Sequence, residues 1–423
     1  MNITEIKNKI ESGAFDRDFE MLYGDVSAAR KRYGAAADSF CGIFAERDGI
    51  RLFSAPGRTE VGGNHTDHQH GCVLAGGVNL DVIAVVAPNN DGKVRIKSEG
   101  YDMDVIDIGD LDKNEAEYGR ASALIRGVLS KFSELGCKLS GFNAYTTSNV
   151  LKGSGLSSSA AFEVLVGNIV NGMLFGGRVD EITIAKIGQY AEREYFGKPC
   201  GLLDQMASSL GGFTYADFFD PKEPITEKID LDIHLFGYTL CVVDTGGNHA
   251  NLTQDYADIT IECKKISNAL GVDFLRDADS DRFYRDIAAL RKSCGDRAVL
   301  RAFHFFNEQN RVEEQKAALK DGRFEDFLKL VNESGESSYD YLQNLYSNSD
   351  VAEQGLPLAI ALTKKFLNGK GACRVHGGGF AGTIQCYIPS DMLDGYKNMI
   401  EGVFGAGSCC VLNIRPVGGY EIK

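Results

Sequence analysis

Four short stretches hold the residues of this 423-residue chain that could do chemistry. The first is Gly153-Ser154-Gly155-Leu156-Ser157-Ser158-Ser159-Ala160, set between an extended run at 142–147 and a helical pattern over 160–175. Glycines leave backbone N–H groups open to an anion, serines cap the helix, and its N-terminus carries about half a positive charge. The segment therefore outlines a phosphate site, with a serine-capped helix after a glycine turn as the simpler alternative. The second stretch, residues 55–71, gathers Arg58, Asn64, His65, Asp67, His68 and His70 in a loop-like segment. Such a density of donors and acceptors suits a polyol, whose hydroxyls each need both. Metal binding through His65, Asp67, His68 and His70, or a solvated turn, would also use these residue types.

The third stretch, 191–205, contains Glu192 and then Pro199 and Gly201, which break a helix and set Asp204 at the start of the next apolar run (Leu203, Met206, Leu210). A carboxylate there could act as a base, or be an aspartate favoured by the helix dipole. The fourth, 374–382, formally matches G-x-G-x-x-G with Gly377 and Gly379. A dinucleotide fingerprint should open a helix early in a βαβ unit, whereas 383–388 reads as a strand near the chain's end. Nor does a G-x-x-x-x-G-K-[ST] loop occur.

The elements that must position these stretches mix without a strict βαβ rhythm, which predicts an α+β arrangement. Helical periodicity runs to about residue 45 and over 120–135, 158–175, 181–196, 252–270, 294–320, 323–345, 351–367 and 390–403. Strands are expected at 50–53, 82–87, 94–97, 142–147, 213–218, 236–243, 372–376, 382–388 and 409–415. The length favours two domains, taken as 1–205 and 206–423, with a site between them.

Composition narrows the partners. A formal net charge of −14 argues against nucleic acid or an anionic membrane. An anionic small substrate then needs backbone dipoles, a metal ion or a few arginines. Eleven cysteines without Cys-x-x-Cys spacing argue against a disulfide framework or zinc finger. The N-terminal residues lack a signal-peptide pattern and no apolar run reaches the roughly 18 residues of a membrane span, so the expected location is cytoplasmic.

Taken jointly, these stretches resemble the galactokinase branch of the GHMP small-molecule kinases. Residues 55–67 resemble the Pro-Gly-Arg and Gly-x-His-Thr-Asp signature, and 153–160 resemble the family's serine-rich phosphate loop. Pro199-Cys200-Gly201 with Asp204-Gln205, Gly377-Gly378-Gly379-Phe380, and Asp255-Tyr256 resemble three further family segments in the expected order. The resemblance implies a two-domain fold, an N-terminal α+β domain and a C-terminal ferredoxin-like one with the active site between them. It implies transfer of the ATP γ-phosphoryl group to the anomeric hydroxyl of a hexose, galactose first. Asp204 would orient or deprotonate that hydroxyl and Arg58 would steady it. Asn64, His65, Asp67, Gly201 and Tyr256 would hold the sugar, with Gly377, Gly378 and Gly379 as the third glycine-rich motif. Gly153, Ser154, Gly155, Leu156, Ser157, Ser158 and Ser159 would surround the triphosphate, and Ser158 and Glu192 would bind Mg²⁺. Lys152, just before the loop, could add a cation.

The sequence also departs from the pattern. Where the family shows Val-Asn-Leu-Ile-Gly-Glu, this chain has Thr59 to Asn64. An uncharged Asn64 in place of the glutamate that meets the sugar's C6 hydroxyl would weaken that bond by roughly 1 kcal/mol. Asn248 stands where an arginine usually precedes His249. Related 1-kinases for arabinose, fucose or N-acetylgalactosamine, or a non-catalytic sugar sensor, are the alternatives the same resemblance carries. Against a sensor stand the complete Ser157–Ala160 run and the presence of Asp204, Arg58 and Glu192.

Overall fold

The computed structural model describes residues 1–44, 48–150, 155–198, 200–247 and 252–423. Lys152, Gly153, Ser154, Pro199, Asn248 and His249 thus lie outside the described residues. The expected α+β mixture is present as two sheets with helices on their faces, antiparallel but for the parallel pairing of residues 94–98 with 142–146. Three helices come first: α1 (Ile3–Ser12), α2 (Asp16–Tyr23) and α3 (Val26–Ile43). A large sheet follows from β1 (Arg51–Gly62), β2 (Cys72–Pro88), β3 (Lys93–Ser98), β4 (Met103–Asp107) and β5 (Phe142–Ser148), with α4 (Ala121–Glu134) before β5. Then come α5 (Ser158–Leu174), α6 (Glu181–Tyr190), α7 (Leu203–Leu210), β6 (Phe213–Asp217) and β7 (Ile225–Ile229).

The remaining chain runs β8 (Tyr238–Asp244), α8 (Thr253–Ala269), α9 (Ser280–Cys294), α10 (Asp296–Lys320), α11 (Phe324–Ser337), α12 (Gly355–Leu367), β9 (Ala372–His376) and β10 (Thr383–Pro389). It ends with α13 (Leu393–Phe404), β11 (Cys409–Leu412) and β12 (Tyr420–Ile422). The large sheet has the order β12-β1-β2-β5-β3-β4, with β6 paired to the first half of β2 and β7 to β6. The second sheet is β11-β8-β10-β9.

Both sheets are covered on both faces, and that explains their sequences. Ile83, Val85 and Ala87 pack under α1–α3, while Val82, Ala84 and Val86 face the opposite core with α4 and α5. Successive strand residues point to opposite faces, so a doubly covered strand reads as an unbroken apolar run. In the second sheet Leu240 and Val242 join the main core with α10 and α11, and Cys241 and Val243 face α12 and α13.

The segment at 55–71 is not loop throughout: its first half is strand, since β1 runs to Gly62 and pairs with β2 over its length. The register shifts between Pro56 and Arg58, where a glycine intervenes, and again between Glu60 and Gly62. β4, β7, β12 and α9 carried no clear signal in the sequence and complete the fold.

The sheets meet where β1 approaches β9 and β10. Gln385 Nε2 donates to Thr59 Oγ1 at 2.6 Å and to the Glu60 carbonyl at 2.9 Å. Arg374, fully buried, donates to the Val61 carbonyl and to Glu60 Oε1, both at 2.8 Å.

Candidate active site

Arg58 and Asp204, 146 residues apart, form the centre. β1 carries Arg58, whose N–H donates to the Leu156 carbonyl at 3.0 Å. A Cβ on Gly57 would lie 2.8 Å from that same carbonyl, so only glycine permits this approach of β1 to the serine loop. Arg58 Nε donates to Asp204 Oδ1 at 2.7 Å, and one terminal nitrogen donates to the Gly155 carbonyl. The other carboxylate oxygen of Asp204 accepts from the hydroxyl of Ser157. Asp204 opens α7, where free backbone N–H groups favour a carboxylate. Its side chain stays 37% exposed, against 9% for Arg58, so it is held by the protein yet reachable by a ligand.

The serine loop shows the strain that such a site demands. Ser157 has φ +55° and Gly155 φ +72°, and α5 begins directly after, with Ser158 and Ser159 in its first turn. A left-handed residue before a helix turns its first N–H groups toward one point, an anion cradle.

The segment after β1 meets three others. Gly63 (φ +85°) turns the chain, and His65, at φ +57°, places Nε2 2.8 Å from the Gly378 carbonyl. Asp67 Oδ1 accepts from the His68 N–H at 2.9 Å, and a Cβ on Gly201 would overlap Asp67 Oδ2. Tyr256, on α8, lies 6.5 Å from the His65 ring, and its hydroxyl donates to the Gly379 carbonyl at 2.9 Å. A Cβ on Gly378 would be 2.6 Å from the Tyr256 ring. Burial and the neighbouring His68 push His65 down to about 4, so its imidazole is neutral at physiological pH. The histidines do not converge on one point: His70 stacks on Phe274 at 3.6 Å while His65 turns to the 377–379 turn.

Asn64 does not face the site. Fully buried, it donates to Glu60 Oε1 at 2.8 Å and to the Gly377 carbonyl at 2.7 Å, and accepts from Asn344 Nδ2 at 2.8 Å. The amide expected to meet a sugar is used inside the protein, and Glu60 carries the local negative charge, paired to Arg374.

Glu192 lies on a π-helical turn, Ala191–Tyr195, that continues α6 and swings its carboxylate inward to 3% exposure. Gln205 Nε2 bridges Glu192 Oε2 at 2.8 Å and Glu163 Oε2 at 3.0 Å. Burial and Glu192 push the Glu163 carboxyl well above the ordinary carboxylate range. Ser159, rather than the expected Ser158, brings its hydroxyl to Glu192 Oε1, at 3.5 Å. The buried Glu192 carboxylate beside serine hydroxyls is a hard-oxygen donor set and fits Mg²⁺. Beside them a cavity of about 870 Å³ is lined by Ser158, Ser159, Phe162, Phe196, Ser98 and Tyr101. No motif marked Tyr101, Phe162 or Phe196, because this cavity is lined by residues of separate elements.

Comparison with known proteins decides the family. The model named "GHMP kinases N terminal domain" matches residues 123–212, and "Galactokinase galactose-binding signature" matches 38–88. A galactokinase of Lactobacillus helveticus is 31% identical over 362 residues, covering 84% of this chain and 89% of that protein. The chain belongs to the galactokinase family of GHMP kinases. Another galactokinase, from Streptomyces coelicolor, is 29% identical over 376 residues, covering 88% of this chain and 93% of its own. The fold agrees: Lactococcus lactis galactokinase complexed with galactose superposes with a TM-score of 0.76 at 23% identity, over 92% of this chain and 99% of that one. The Methanococcus jannaschii mevalonate kinase gives 0.62 at 15% identity over 87% and 99%. The two-sheet α+β architecture is thus the two-domain GHMP kinase fold. Among the described residues no helix is long and apolar enough to cross a membrane.

Proposed function

We propose that the protein transfers the γ-phosphoryl group of ATP to the anomeric hydroxyl of galactose, giving galactose 1-phosphate. One observation carries the reading: Asp204, reachable by ligand and three residues from Gly201, which packs on Asp67, is held at once by Arg58 and by Ser157 of the serine loop.

In this reading Asp204 orients the C1 hydroxyl and takes its proton as the new P–O bond forms. A loose phosphoryl-transfer transition state needs alignment and charge neutralisation more than a strong base. Arg58 serves both ends, fixing Asp204 through Nε and the loop through the Gly155 carbonyl. Asp67, His65, Gly201 and Tyr256 hold the sugar; with Nε2–H of the neutral His65 ring spent on the Gly378 carbonyl, its Nδ1 is left to accept from a hydroxyl. Asn64 holds the 377–379 turn against that segment instead of touching substrate. The Gly153–Ser159 loop and the N-terminus of α5 surround the triphosphate, and the cavity beside Tyr101, Phe162 and Phe196 takes the purine base. Glu192 with Ser159 and the neighbouring Ser158 would hold Mg²⁺, whose charge offsets that of the phosphates. The 1–205 half, its sheet completed by β6, β7 and β12, and the remainder of 206–423 would supply the two sides of the cleft, and a cytoplasmic location would give access to ATP.

Coupled ADP release with galactose, arabinose, fucose and N-acetylgalactosamine tests the proposal. Galactose should give the highest kcat/KM; preference for a non-sugar alcohol would end it.

A further inference from the structure

Lys198 is the cation whose position the roles above leave unexplained. It follows Gly197 (φ +82°), and its backbone N–H returns to the Glu192 carbonyl at 3.1 Å, so the loop is folded back over the π-helical turn. Its ammonium then reaches Glu192 Oε1 at 2.8 Å. The pair is asymmetric: the carboxylate is 3% exposed and the lysine side chain 58%. Glu192 Oε2 is occupied by Gln205, the neighbour of Asp204, while Oε1 faces both Lys198 and the hydroxyl of Ser159. One half-exposed ammonium thus covers the carboxylate proposed for the cation site.

With a divalent cation held by Glu192 Oε1, the half-exposed ammonium would have to give up that oxygen. The nucleotide's phosphate oxygens would offer it another partner, and lysine binds phosphate as a point charge. We propose that Lys198 is a further catalytic residue of the transfer: it guards Glu192 before the nucleotide binds, then contacts the migrating phosphoryl group. The bond from phosphorus to the bridging oxygen of ADP breaks as the bond to the sugar oxygen forms, and the sugar's proton goes to Asp204. Lys198 keeps its proton throughout. This inference rests on the reading of the site given above.

The test compares wild type with Lys198→Met and Lys198→Arg in steady-state turnover, and measures Mn²⁺ binding to each nucleotide-free protein by electron paramagnetic resonance. Lys198→Met should lower kcat by about 10- to 100-fold, as expected for removal of one charge from a preorganised phosphoryl site. Sugar KM should hold, Lys198→Arg should recover much of the rate, and Mn²⁺ should bind Lys198→Met at least as tightly because a competing ammonium is gone. Unchanged turnover in Lys198→Met, or loss of its Mn²⁺ binding, would overturn the role while leaving the sugar-kinase reading intact. A wild-type protein inactive on every sugar would overturn both.

Discussion

A carboxylate that meets a sugar hydroxyl must be rigid and reachable together, and Asp204 is both, with its two oxygens fixed by Arg58 and Ser157 while over a third of the side chain meets solvent. Asp204→Asn keeps the size and most hydrogen bonds but removes the proton acceptor. It should lower kcat by about 10² to 10⁴ with sugar affinity retained, measured by turnover beside calorimetric galactose binding. Residues of this kind were legible in the sequence because a glycine-serine loop or a helix-opening aspartate is a local pattern. Asn64 was not. Its partners Asn344 and Gly377 lie 280 and 313 residues away, so nothing near it in the chain says that its amide is already used.

At the scale of elements, the site is a meeting of turns that only glycine permits. Gly201 brings the turn before α7 against Asp67, leaving no room for a methyl group. Gly201→Ala must turn the Asp67 carboxylate aside, and we expect galactose KM to rise about tenfold or more with the melting temperature nearly unchanged, since misplacement by an ångström costs far more in catalysis than in stability. The helices and the 82–87 strand were readable from periodicity and apolar runs. The full length of β1 and β2 was not, because Pro56, Gly57, Gly76 and Gly77 interrupt them and partners on both faces remove alternation. The π-helical turn at Ala191–Tyr195 was likewise hidden inside a continuous helical pattern, yet it turns Glu192 inward.

Across the whole molecule, buried charges tie distant parts to the site. Asp81, fully buried, pairs with Arg415 at 3.2 Å and with Arg32, joining the N-terminal helices and the chain's end to the large sheet. Glu308 of α10 accepts from the Gly63 N–H at 3.1 Å and from Ser334 at 2.6 Å. Burial alone would raise its pKa, but Arg311, His304 and Arg374 hold it down at about 2, below its ordinary 4.5. A depressed carboxyl stabilises the fold above the unfolded value and loses that contribution as pH falls through the folded one. Glu308→Gln should therefore cost about 3 kcal/mol near neutrality, with the gap to wild type closing between pH 4.5 and 2, as read by urea unfolding at each pH. Such long-range pairs, like the pairing of β12 with β1, leave no trace in local sequence. The proposed reaction asks for one arrangement, a sugar's C1 oxygen between Asp204 and the phosphate of ATP. The most direct measurement is phosphorus NMR of the product formed from galactose and ATP: a single sugar phosphate coupled to the anomeric proton, matched mole for mole by ADP, is the predicted result. Phosphorus coupled instead to the C6 protons, or no product from galactose at all, would contradict it.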